Sequence, residues 1–343
     1  MNGTNMGNPW RKLLRWGVWI VGVLVVLAIG VVATGYGYQA ISEARDLRRY
    51  PAPGKMIDVG GYWLHLNAMG EGGPAVVLDA GLSDNSLAWC RVQPEVAKFT
   101  RVCSYDRAGM GWSDAGPLPR DSKQIVGELH TLLARSGIAG PYVLVGHSFG
   151  GMNVRLYAHA YPEEVAGLVL VDGVHEDQFA RYPEPVRRMQ QQWKWETEGC
   201  RKWIRSGIIR KFYMWDNLRL PEAVRATDRA LRTRTAYFGT LLDEMTRMTQ
   251  DSAAEVRAAA TLPQVPMVVL TAGNEGQPRY PGMTEEQERQ WYAMIRDMQA
   301  ELVKRSSGGE QIIVPKSGHV IALDDPAAVV DAIRRVVEKA RGK

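Results

Sequence analysis

Cysteine is scarce in this chain, with three in 343 residues: Cys90, Cys103 and Cys200. Their wide, unpatterned spacing excludes a disulfide-stapled scaffold and offers no metal-ligand motif. An odd count also excludes complete pairing within the chain. A Cys90–Cys200 bridge stays open, and Cys103, inside an apolar strand-like run, reads as a small buried residue. Internal repeats and low-complexity tracts are missing. With 45% hydrophobic and 23% charged residues, large disordered segments are excluded. No nucleic-acid-binding motif occurs. The net charge is +5, and the surplus sits in one segment, where residues 180–260 hold 16 Lys and Arg against 10 Asp and Glu. Acids and bulky apolar residues interrupt it, which is the pattern of solvated amphipathic helices.

Charge vanishes altogether between Arg15 and Glu43. Within that stretch, Trp16 to Ala33 read as a helix would rise about 27 Å, close to the thickness of a bilayer core. It has no polar face, which argues against a buried core helix. Arg11, Lys12 and Arg15 precede it and favour an N-terminus inside the cytoplasm. Trp16, Trp19, Tyr36 and Tyr38 suit the two interfaces. Residues 1–15 therefore read as a basic cytoplasmic tail, disordered over Met1–Asn8. Residues 16–38 read as a transmembrane helix or uncleaved signal anchor, with the rest of the chain outside the cytoplasm. The alternative is a cleaved signal peptide and a secreted protein. Residues 39–54, polar and basic with Pro51 and Pro53, read as a linker.

From residue 55 the pattern is regular. A hairpin is predicted over Met56–Ala68, turning at Gly60-Gly61. Apolar runs at 75–79, 101–105, 142–145 and 167–171 then alternate with helical stretches at 87–98, 122–136 and 152–160. Continuous rather than alternating apolar runs indicate parallel strands covered on both faces. The alternation stops between His175 and Leu262, where Trp193, Trp195, Trp203, Trp215, methionines and arginines suggest a helical insertion. It resumes with a strand at 267–270, a helix at 284–305, a strand at 311–314 and a helix at 327–340, with Pro326 suited to its first turn. The expected organisation is an α/β core over 55–175, a helical cap over 176–262 inserted after the sixth strand, and the rest of the core over 263–343.

One stretch carries chemistry. Tyr142-Val143-Leu144-Val145-Gly146-His147-Ser148-Phe149-Gly150-Gly151 runs from a buried strand through a glycine-flanked serine into a helix, a G-x-S-x-G elbow in its strand–turn–helix context. Small residues let strand and helix pass closely, and the turn lifts the Ser148 hydroxyl above the sheet. A serine nucleophile needs a base, an acid to orient it and donors for an oxyanion. Of the six histidines, His65, His130 and His159 lie in the hairpin or in helices. His147 sits inside the elbow, where its ring packs or hydrogen-bonds beneath the turn, and His175 follows a strand. His319, in Ser317-Gly318-His319, stands in a loop after the last strand and before the last helix, which makes it the candidate base.

From Met56 onward the chain resembles an α/β-hydrolase-fold serine hydrolase. Gly146–Gly150, Ser317–His319, Leu78-Asp79-Ala80-Gly81-Leu82 and Asp106-Arg107-Ala108-Gly109-Met110-Gly111-Trp112-Ser113 carry the likeness. The resemblance implies a mostly parallel sheet flanked by helices. It implies oxyanion donors at the backbone N–H of Phe149 and of Leu82, where relatives often read His-Gly-x. Asp106 and Arg107 read as loop-fixing. For the acid, the position usual in the family, after the strand that follows the insertion, is Gly276, with Glu275 one residue away. Some relatives carry the acid one strand earlier, where Asp172 stands, so Asp172 is favoured and Glu275 is the alternative; Glu176 and Asp177 lie further from the strand end. The expected function is cleavage of a carboxylic ester by Ser148, His319 and Asp172 without metal or cofactor, on a small-molecule substrate. Trp89 and Trp112 near the catalytic loops, with the tryptophans and methionines of the cap, suggest an apolar acyl or aromatic group. Thioesterase, aminopeptidase, C–C bond hydrolase and cofactor-free haloperoxidase chemistry would keep the same serine. Epoxide hydrolases and haloalkane dehalogenases use an aspartate there, so Ser148 argues against both. A non-catalytic membrane-tethered binding module is the remaining reading, and the oligomeric state stays open.

Overall fold

The computed structural model describes residues 9–212, 217–259, 261–277 and 280–342; the expected tail Met1–Asn8 and Trp215 lie outside them. A long helix α1 (Pro9–Arg49) leads into β1 (Lys55–Asp58), β2 (Trp63–Met69), β3 (Ala75–Asp79), α2 (Gln93–Val96) and β4 (Val102–Tyr105). Then come α3 (Ser122–Ser136), β5 (Tyr142–His147), α4 (Phe149–Ala160) and β6 (Val165–Val171). The insertion holds α5 (Glu184–Trp203), α6 (Ile208–Phe212), α7 (Glu222–Arg232), α8 (Tyr237–Arg247) and α9 (Ala253–Ala258). The chain closes with β7 (Met267–Ala272), α10 (Glu285–Val303), β8 (Gly309–Val314), α11 (Ile321–Asp324) and α12 (Pro326–Ala340).

Eight strands form one sheet in the order β1-β2-β4-β3-β5-β6-β7-β8. The β1–β2 and β2–β4 pairs are antiparallel, and every pair from β4 to β8 is parallel. This is the mostly parallel, helix-flanked sheet of the α/β-hydrolase fold. Successive side chains of a strand face opposite sides, so each central strand feeds two cores. Val77, Leu144, Leu168 and Val269 pack with Leu129, Leu132 and Tyr157 of α3 and α4. Val76, Val145, Val169 and Leu270 pack with Ile333, Val336 and Val337 of α12.

Local chemistry sets the helix ends. Asp121 caps α3 and a left-handed Gly137 ends it. Thr284 and Gln287 form a capping box on α10. Asp325 caps α12 ahead of Pro326. The helix expected over 87–98 is instead a 3₁₀ turn, Ser86–Trp89, followed by α2. Pro94 accounts for the break: it lacks an N–H and its ring would clash with the carbonyl four residues back.

Two expectations need correction. The basic residues Arg11, Lys12 and Arg15 lie within α1, and the stretch read as a linker from residue 39 is helical to Arg49. No proline or glycine interrupts Gln39–Arg49, and Gln39, Glu43 and Asp46 fall on one face at i, i+4 and i+7. That face meets the insertion. Gln39 donates to the Thr233 carbonyl at 2.9 Å, Thr235 Oγ1 donates to Glu43 at 2.8 Å, and Arg210 pairs with Asp46. All three cysteines are free, so Cys90 and Cys200 do not form a bridge.

Candidate active site

Three strand ends converge above the sheet. Ser148 follows β5 with φ 52° and ψ −115°, outside the ordinary regions for a non-glycine residue. The surrounding hydrogen bonds over-determine this geometry. Its N–H donates to Val171 O at 3.1 Å, and its carbonyl accepts from the N–H groups of Gly151 and Val174 at 2.9 and 3.1 Å. A Cβ on Gly146 would strike the backbone of Gly150, and one on Gly150 the carbonyl of Asp79, so both glycines are required by close approach.

His319 lies between the serine and a carboxylate. Its Nε2 is 3.0 Å from Ser148 Oγ and its Nδ1 is 2.6 Å from Asp172 Oδ2. An ionised carboxylate only accepts, so Nδ1 carries the proton and Nε2 is free to accept from the hydroxyl. Asp172, at the end of β6 with φ 44°, is filled on its other oxygen: Oδ1 accepts from the Ala272 N–H at 3.0 Å and from Gln299 Nε2 at 2.9 Å. Gln299 is held by Thr271 Oγ1 at 2.6 Å, which accepts in turn from Gln311 at 2.9 Å. Burial would raise the Asp172 pKa, but the hydrogen bond and charge of His319 and the two Oδ1 donors more than offset that and lower it. The His319 side chain is 49% exposed, and the partial desolvation that would lower its pKa is overcome by the hydrogen bond and charge of Asp172, so the imidazole titrates above its ordinary value.

Glu275, the alternative acid, is exposed, and its carboxylate makes no hydrogen bond or ion pair among the described residues. Its backbone stitches the β7 loop to the histidine loop instead, with Glu275 N–H on Pro315 O and Asn274 N–H on Ser317 O, both at 2.9 Å. His147 braces that loop from below, its Nε2–H donating to the His319 carbonyl at 2.9 Å. Burial and the neighbouring His319 push the His147 pKa down to about 4, so it stays neutral.

The two expected backbone donors sit beside the serine. Neither the Leu82 nor the Phe149 N–H is used in any hydrogen bond among the described residues. Asp106 accepts from His65 and from the N–H groups of Ser86 and Trp112, which fixes the loop after β4. Arg107 is 2% exposed and reaches Asp79, Glu244 and the carbonyls of Ala80 and Gly81, the residues immediately before Leu82.

A cavity of about 490 Å³ opens over Ser148. Its roof is only partly the insertion. Val186, Met189 and Trp193 come from α5, but Trp291, Tyr292 and Ile295 come from α10, expected to belong wholly to the core. Trp291, Ile295 and Gln299 share one helix face at i, i+4 and i+8, a sequence signal for this role. Of the aromatics expected near the site, Trp89 is buried edge-on to His147 and Trp112 is buried against His65. Trp195 and Trp203 are exposed. A second cavity of about 150 Å³ shares Ser83 and Trp193 with the first. His175, Glu176 and Asp177 have the spacing to hold a metal ion, but arginines take their carboxylates: Arg155 and Arg305 pair with Glu176, and Arg257 with Asp177.

Sheet order, a serine at the sharp turn after β5 and helices inserted after β6 define an α/β-hydrolase scaffold. A model described as the alpha/beta hydrolase family matches residues 76–332, and the chain belongs to that family. An enol-lactonase from Burkholderia xenovorans LB400 superposes with a TM-score of 0.57 at 20% identity, covering 82% of this chain and 99% of its own. A thermophilic esterase from Thermogutta terrifontis gives 0.59 at 20% identity, covering 83% and 99%. The probable transporter efuK of Hormonema carpetanum is 32% identical over 136 residues, 37% of this chain and 20% of that protein. The chain thus spans one fifth of that relative's length.

Proposed function

We propose that this chain is a serine hydrolase that cleaves a carboxylic ester bearing an apolar acyl or aromatic group, anchored in a membrane by α1 with its catalytic domain outside the cytoplasm. The observation that carries the reading is the continuous relay from Ser148 Oγ through His319 to Asp172 at 3.0 and 2.6 Å, beside two free backbone donors. Ser148 attacks the ester carbonyl while His319 Nε2 takes its proton. The carbonyl oxygen becomes an oxyanion and accepts from the N–H groups of Phe149 and Leu82. His319 returns the proton to the departing alkoxide, leaving an acyl-serine. Water, deprotonated by His319, then releases the acid. Val174, Met189, Trp193, Trp291 and Ile295 give the apolar lining. The enol-lactonase and the esterase of the same fold act, by name, on esters. By length and composition α1 is able to cross a bilayer.

A fluorophosphonate probe is expected to label the full chain once, at Ser148, and not to label Ser148→Ala. An unlabelled native chain, or labelling that survives the substitution, sinks the reading.

The relay also fixes a pH dependence. Only neutral His319 can accept the serine proton, so kcat/KM rises as pH rises through its pKa. Asp172 raises that pKa above the ordinary 6.5, so the midpoint of the limb falls above this value. His147 is already neutral there and adds no second step. A midpoint below 6.5 on a p-nitrophenyl ester contradicts the coupling.

Trp193 and Ser83 line both cavities, and Trp193 is the bulky one of the two. Trp193→Ala is expected to join them and shift preference toward longer acyl chains. Room for two more methylenes is worth about 1.6 kcal/mol, roughly tenfold in the kcat/KM ratio of long over short p-nitrophenyl esters. An unchanged chain-length profile would exclude the indole as the partition.

A further inference from the structure

We infer that the corner of the cap between α5 and α6 rests in the headgroup layer of the bilayer that α1 enters, so that the domain touches the membrane through a second, catalytic-domain surface. The inference rests on the proposed anchoring by α1. Its first support is that α1 and the cap pack directly against each other. A Cβ on Gly35 would strike the Ser206 carbonyl, and one on Gly207 the Tyr38 ring, so helix and corner touch backbone to backbone. Beyond that contact, Arg210 donates to Gln39 Oε1 at 3.1 Å and pairs with Asp46, and Gln39 is buried on the Thr233 carbonyl.

The second support is the height of the joint. Gly35 lies two residues past Ala33, where the uncharged apolar run read as the bilayer core ends. At about 1.5 Å per residue the contact sits some 3 Å above that boundary. Tyr36 and Tyr38, half exposed, mark the same level.

The third support is what the cap displays there. Trp203, Ile208 and Phe212, at 58%, 47% and 66% exposure, bracket the Ser206-Gly207 contact. Arg201, Lys202, Arg205 and Lys211 are exposed among them; Arg201 and Lys202 share the Glu198 carboxylate, and no acid occurs in the sequence between Glu198 and Asp216 to offset Arg205 and Lys211. Exposed aromatics interleaved with cations match the interfacial layer of a bilayer carrying anionic lipids. Lone surface hydrophobics are ordinary, but a cluster pinned beside an apolar helix calls for a partner.

The test uses the full chain with Cys90→Ala and Cys200→Ala; Cys103 can stay, because burial pushes its thiol up to about 12. Single cysteines at Val25, Phe212 and Glu71 carry a bimane label in nanodiscs containing phosphatidylglycerol. Glu71 lies in the β2–β3 turn, which enters β3 at the N-terminal end of the parallel strands, opposite the site. Val25→Cys is expected to be quenched by lipids bearing a nitroxide deep in the acyl chain. Phe212→Cys is expected to be quenched by headgroup nitroxides at least threefold more than Glu71→Cys. Val25 quenched with Phe212 no different from Glu71 overturns the inference while the anchor stands. An unquenched Val25 overturns both readings.

Discussion

Ser148→Ala and His319→Ala are each expected to lower kcat on a p-nitrophenyl ester by about 10⁵-fold, and Asp172→Asn by about 10⁴-fold, with folding unchanged. In the proposed mechanism the first two remove the attacking atom or the group that receives its proton. The third is isosteric, and its effect follows from the hydrogen bonds around Asp172. Two donors, the Ala272 N–H and Gln299 Nε2, point at Oδ1. An asparagine would keep its single oxygen there and turn its NH₂ toward His319 Nδ1. That nitrogen would then have to accept, which moves the ring proton to Nε2 and blocks transfer from Ser148. The three losses should not add, because each residue works only through the others. Glu275→Gln is expected to keep kcat within twofold, since its carboxylate is exposed. Loss in Glu275→Gln with retention in Asp172→Asn, at native circular dichroism for both, would reverse the assignment of the acid.

The elbow and the histidine loop were legible because their residue types are dictated by backbone geometry. Gly146 and Gly150 stand where any Cβ would meet main chain. The parallel strands were legible because burial on both faces demands unbroken apolar runs such as Val165–Val171. The insertion was legible as the place where that rhythm stops. Gly276 stands at the position usual for the acid and has no carboxylate, and the carboxylate that meets His319 is that of Asp172, one strand earlier.

What was missed depends on long-range partners. Residues 39–49 have the polar composition of a linker, yet their polar face is satisfied by Thr233, Thr235 and Arg210, which lie 164 to 194 residues away in the chain. Likewise α10 read as an ordinary core helix. Its Trp291–Ile295–Gln299 stripe was visible, but not that its aromatic end roofs the cavity while its polar end holds Asp172. Aromatic content near the catalytic loops was a poor guide: Trp89 and Trp112 are packing residues, and the cavity takes its aromatics from Tyr182, Trp193, Tyr280, Trp291 and Tyr292.

Arg107 couples stability to the geometry of the site. Burial alone would lower its pKa, but Glu244 and Asp79 hold it firmly protonated. Asp79 is bound in turn by Asn153 of α4, so one guanidinium joins the elbow helix, the loop after β3 and the cap helix α8. Arg107→Leu would leave two buried carboxylates without their cation, at a cost of about 3–5 kcal/mol, or on the order of 10 °C in Tm. Calorimetry of the full chain checks this. Arg107→Lys separates the two roles. A lysine keeps the charge but cannot span two carboxylates and two carbonyls with a planar fork. In a trans peptide the Gly81 carbonyl and the Leu82 N–H point in opposite directions, so holding the carbonyl on Arg107 turns the N–H away from it. Freed from that clamp, the loop would misplace the Leu82 N–H, one of the two proposed oxyanion donors, and kcat should fall about 10²-fold with KM little changed. Glu244→Gln weakens only the cap side and should lower Tm without a comparable loss of kcat. If Arg107→Lys turns over at the native rate, the loop holds its own shape and the guanidinium serves stability alone.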